Sequence, residues 1–238
     1  IYGVSVDKLM EMNPEIDPYI LTVDMQVVIP VETLPPANQT PEPTPVQLPL
    51  EGLNCLLDEN SGVWCFVWVS NTSDESYENV IVSFNLADLD ASEVDAIKEP
   101  APLNVLLAGE KKPVVAYFPG PNPEQFQKSA QFSSAIPYNP ESNRYLNAEV
   151  SVDSETPLLN NKMLRIEGTY QIKDPASKVM IVAVAYDQNE QIIGLREWQA
   201  DFSESTIEGS FSIDLSAVSG TIEDYQLFIE AQPADLPN

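Results

Sequence analysis

Histidine is absent from all 238 residues, and its absence excludes a wide range of chemistry. Without an imidazole there is no Ser-His-Asp or Cys-His nucleophile system, no imidazole general base and no histidine-based zinc site. A catalyst would have to work with carboxylates alone, and 37 Asp and Glu residues give no reason to single out any pair. Cations are scarce as well: 11 Lys and Arg leave a formal net charge of −26. Nucleic acid and anionic membrane surfaces both select clustered cations, so neither is expected as a partner. No run of 18 apolar residues occurs, which excludes a membrane-spanning helix on sequence grounds. Gly-rich phosphate loops, nucleophile elbows and metalloprotease signatures are missing too, so no cofactor and no enzymatic activity are expected.

Cysteine occurs twice, at Cys55 and Cys65. Between them, Asp58-Glu59-Asn60-Ser61-Gly62 is turn chemistry separating two apolar runs, which sets the cysteines on neighbouring strands of a hairpin, close enough to pair. A disulfide there implies an oxidising, extracytoplasmic compartment; the alternative is two buried free thiols. The sequence opens at Ile1 without an initiator Met or an export signal, so upstream sequence is expected to carry one.

Hydrophobic residues make up 43% of the chain, enough for real cores, and the length suits two domains. From residue 51 the pattern is β. Trp64 to Val69 runs into the polar turn Ser70 to Glu75 and returns as Val80 to Leu86, with further strands at 104–107, 114–119, 131–135 and 145–152. Turns recur roughly every ten residues, as in a sandwich. The pattern then partly repeats. Leu164 to Ile172, a turn at Lys173 to Ser177, and Val179 to Asp187 echo the first half, and the last expected strand is Asp224 to Ala231. The expected fold class is mainly β, two tandem immunoglobulin-like β-sandwiches over 51–157 and 158–238. Residues 32–50, with six prolines and no glycine, read as a polyproline II spacer.

Residues 1–31 follow another grammar. Val6, Leu9 and Met10 lie at helical spacing after Ser5, Asn13-Pro14 ends the helix, and Met25 to Pro30 reads as a strand. Tyr2 to Leu9, Met12-Asn13-Pro14, Ile16-Asp17-Pro18 and Gln26 to Pro30 resemble the second half of a LysM domain, an α+β module. That resemblance implies binding of peptidoglycan or a related N-acetylglucosamine glycan, and it carries Asn13, Pro14, Glu15 and Ile16 over as glycan-binding positions. Asp24 stands where the family has Gly, and the first half of the module would lie before Ile1. In the β region, Asn71-Thr72-Ser73 before a valine strand, Asp88 or Tyr186-Asp187, and Gly109-Glu110 before a strand resemble FxLYD-type immunoglobulin-like domains of bacterial exported proteins. That family brings a fold and no catalytic residues.

Other features have bland alternatives. Asp88 to Asp95 places alternate carboxylates where Ca²⁺ ligands would converge, without the spacing of an EF-hand loop, and a plain hairpin tip explains it equally. Trp64, Trp68 and Trp198, with Tyr117 and Tyr186, suit sugar stacking or a β core. Asn38-Gln39-Thr40 and Asn71-Thr72-Ser73 match the glycan-acceptor pattern. Together these readings lead us to expect a secreted, non-catalytic cell-surface protein that holds wall glycan and presents sandwiches for adhesion. The alternative is a filament or surface-layer subunit, a homopolymer built through the spacer or edge strands.

Overall fold

The computed structural model describes residues 6–14, 27, 46–88 and 94–233. It divides into two compact units, Ile1–Pro45 and Val46–Asn238.

In the first unit the expected helix forms as α1, Val6–Met12. Asn13 ends it, its backbone N–H donating to the Met10 carbonyl at 3.2 Å and its side-chain amide to the Leu9 carbonyl at 2.7 Å. Pro14 follows, lacking the N–H that another turn would use. The closing strand expected at Met25 to Pro30, and the spacer as far as Pro45, lie outside the described residues apart from Val27.

The second unit is built of strands: β1 Leu50–Leu57, β2 Val63–Ser70, β3 Ser76–Asp88, β4 Val94–Pro100, β5 Val105–Leu106, β6 Lys111–Phe118, β7 Phe126–Tyr138, β8 Ala148–Leu158, β9 Met163–Tyr186, β10 Ile192–Ser216 and β11 Asp224–Pro233. Among the described residues all pairing is antiparallel, and the fold is mainly β, as expected. One sheet has the order β1-β2-β6. In the next, β3 is central, with β7 on one edge and β4 and β5 on the other. Alternation turns Val63, Cys65, Val67 and Val69 of β2 and Val80, Val82, Phe84 and Leu86 of β3 into one shared core. This is the first sandwich.

The second sandwich is one sheet folded on itself. β9 and β10 form a hairpin paired from Tyr186–Ile192 to Met163–Ser216. Along the other edge of β9, β8 pairs as far as Ile172 and β11 takes over from Ala176. The two halves share a core that includes Ile166, Tyr170, Ile181, Phe211 and Ile213. The turn expected at Lys173 to Ser177 is therefore a corner inside a continuous strand. Pro175, which has no N–H to donate, sits where the neighbouring strand changes from β8 to β11. β8 pairs along its whole length with β9, so by pairing the second strand group begins at Ala148.

A third core joins the sandwiches. Phe66 and Trp68, on the outer face of β2, pack with Leu103 and with Val182, Val184 and Ile192 of the second sandwich. β2 is thus buried on both faces, Phe66 and Val67 each being 1% exposed. Two polar ties cross the same seam. The Asn54 amide donates to the Ile192 carbonyl at 2.9 Å, and the Glu230 carboxylate accepts from the Val105 N–H at 2.9 Å.

Candidate functional site

The positions carried over from the LysM resemblance are only partly described. Asn13 is buried with its amide engaged on Leu9, Pro14 is exposed, and Glu15 and Ile16 lie outside the described residues. Cys55 and Cys65 face each other directly across β1 and β2, with Cα atoms 4.0 Å apart, and form a disulfide. Of the suggested calcium loop, residues 89–93 are not described and Asp95 is exposed. Among the described residues no group of three or more His, Cys, Asp or Glu is placed to hold a metal ion.

Asn71 is unsuited to carry a glycan. It is 1% exposed, and its amide nitrogen donates to the carbonyls of Glu75, Leu106 and Leu107 while its oxygen accepts from Ser73. It is a clamp between the β2–β3 and β5–β6 turns. Asn38 lies outside the described residues.

Two hairpin tips are built alike. In each, an aspartate begins the loop and its Oδ1 accepts from the backbone N–H groups two and four residues on: Asp58 from Asn60 and Gly62, and Asp187 from Asn189 and Gln191, all at 2.8 or 2.9 Å. The fourth loop residue, Ser61 or Glu190, takes φ near 60°. These backbone donors hold both carboxyls below the usual carboxylate range. The acidic turn chemistry noted in the sequence is here loop closure.

The aromatic residues divide by depth. Trp68 is buried in the seam, its ring 6.3 Å from Tyr186 and 5.9 Å from Phe228, with the Lys111 ammonium 4.6 Å above it. Trp198 packs between Tyr170 and Phe211 in the second core. Trp64 is different. It ends the outer stripe of β2, only half-buried, and lines an open cavity of about 210 Å³ between the sandwiches. Asp58, Leu195, Arg196, Asp214 and Ser216 complete its main walls.

A second polar cluster lies deeper in the seam. Glu78 of β3 is 3% exposed; its Oε1 accepts from the Arg144 guanidinium at 2.7 Å, and its Oε2 is buried with no hydrogen-bond partner among the described residues. Arg144 lies 5.7 Å from the Tyr138 ring, which meets Tyr145 edge-on at 5.5 Å. Glu230 of β11 is buried beside Asn104 and Val105, and that burial pushes its carboxyl above the usual range. Sequence reasoning passed over Glu78 and Glu230. A lone Glu within an apolar strand pattern was the available signal, since buried carboxylates are rare without partners.

No family model matches the sequence, and no curated protein matches it. Of 14 matching solved chains, one is the secreted serine protease VesC from Vibrio cholerae, 8% identical, covering 76% of this chain and 50% of that one at a TM-score of 0.20. This chain thus spans about half the length of that protease. An overlap so low carries no argument about fold or activity.

Proposed function

We propose that this is a non-catalytic, exported protein of the bacterial cell surface, in which the LysM-like N-terminal part holds cell-wall glycan and the sandwiches form a stiff block presented for adhesion. The observation that supports this best is the third core. Large aromatic side chains of β2, which would otherwise face solvent, fasten the two sandwiches together and so oppose motion between them. The cross-strand disulfide adds to the case, because such bonds persist in oxidising compartments.

Co-sedimentation of the full chain with purified peptidoglycan tests the reading, with soluble β-1,4-linked N-acetylglucosamine oligomers as competitors. Retention in the pellet and release by the oligomers are expected. Protein that stays in the supernatant at every loading refutes glycan holding, and polymers seen by sizing or negative-stain imaging replace it with the filament reading.

A further inference from the structure

We infer that the cavity at the seam between the sandwiches, walled by Trp64 and Arg196, is a saccharide-binding site that takes one pyranose ring of a longer glycan. This stands apart from the N-terminal reading and survives its failure.

Trp64 is held by its cross-strand neighbour and by the hairpin tip. In the pairing of β2 with β6, Trp64 and Tyr117 are direct partners, and their rings lie 4.5 Å apart. The indole Nε1–H donates to Asp58 Oδ2 at 3.2 Å, and the same carboxylate is held by the Asn60 and Gly62 N–H groups. Gly62 keeps the arrangement tight, since a Cβ there would collide with Tyr117 and Asp58. The indole is therefore held by a carboxylate and the Tyr117 ring while remaining partly exposed. A rigid aromatic surface offers contact area at little entropic cost, and the apolar face of a pyranose suits it.

The opposite wall supplies polar groups. Arg196 is exposed and makes no hydrogen bond or ion pair among the described residues, so its donors are open to a ligand. Ser216 adds an exposed hydroxyl. Asp214 is locked in a two-pronged pair with Arg165, Nε to Oδ1 at 2.7 Å and one terminal nitrogen to Oδ2 at 2.9 Å. The chain has only three arginines, and two of them stand at or beside this cavity. With Arg165 engaged on Asp214, the fork of Arg196 is the one placed to recognise hydroxyl or carboxylate oxygens. The cavity is smaller than the roughly 300–1,000 Å³ of drug-sized sites, which suits a single sugar unit.

The test uses the full chain and its intrinsic fluorescence. All three tryptophans lie in the second unit, so tryptophan emission is read, and Trp64→Phe separates binding at this cavity from binding by the N-terminal unit. The chain is titrated with an N-acetylglucosamine tetramer and with an oligogalacturonate, separating neutral from acidic sugars, and with a lysine-rich peptide. A saturable fluorescence change with either sugar is expected, with Kd between about 10 μM and 1 mM. Trp64→Phe should abolish that change, and Arg196→Gln should weaken calorimetric binding about tenfold without moving the melting temperature. The inference is overturned if neither sugar saturates below about 10 mM, if Arg196→Gln binds like the wild type, or if only the peptide binds.

Discussion

Phe66→Ala tests the claim that the third core makes the two sandwiches one cooperative block. Phe66 is 1% exposed, at the centre of a cluster drawn from both sandwiches. Truncating a buried Phe to Ala costs about 3–5 kcal/mol, the lost transfer energy plus that of the cavity left behind. In a cooperative block of 150–250 residues each kcal/mol moves the melting temperature by roughly 2–4 °C, so a fall on the order of 10 °C is expected. Differential scanning calorimetry should show one endotherm for the wild type. In the variant it should move down as a whole or split into two. Val182→Ala, in the same cluster but on β9, should couple to it by at least about 0.5 kcal/mol in a double-mutant cycle. Two separated endotherms in the wild type, or a variant that melts within about 2 °C of it, would show that the seam carries no cooperativity.

Replacing both Cys55 and Cys65 by Ala should lower stability to urea by roughly 2.7 kcal/mol, the chain-entropy value for a loop of about ten residues, and an unchanged midpoint would refute it. Asn71→Ala leaves three carbonyls without their donor and should cost about 2–3 kcal/mol in the same assay, whereas a glycan-acceptor role would leave the unmodified protein unaffected. For Glu230 the sign follows from its raised carboxyl. The folded state favours the protonated form, so stability is full below the ordinary carboxyl value and falls as pH rises from there through the raised one. Glu230→Gln should remove that dependence, so urea melts across pH should show the wild type losing ground to the variant as pH rises; a difference that is flat with pH refutes the assignment.

What the sequence determined by itself is whatever depends on near neighbours. The β class, the alternation that puts Val63, Cys65, Val67 and Val69 on one face, and the turn at Asp58 that brings Cys55 opposite Cys65 follow from period-two patterning and loop chemistry. The same local logic misled at Lys173 to Ser177. A strand can run through a corner when its partners change there, and only β8 and β11, distant in sequence, reveal that change. Burial of the second face of β2 was equally beyond the sequence. Trp64, Phe66 and Trp68 alternate like an exposed or a covered stripe alike, and the covering side chains, Val182, Val184 and Ile192, come from more than a hundred residues away. Tertiary structure therefore decided which aromatic residues became core, left Trp64 open at the rim of a cavity, and made Glu230 a buried partner of Val105, because each of these rests on contacts that no local spacing encodes.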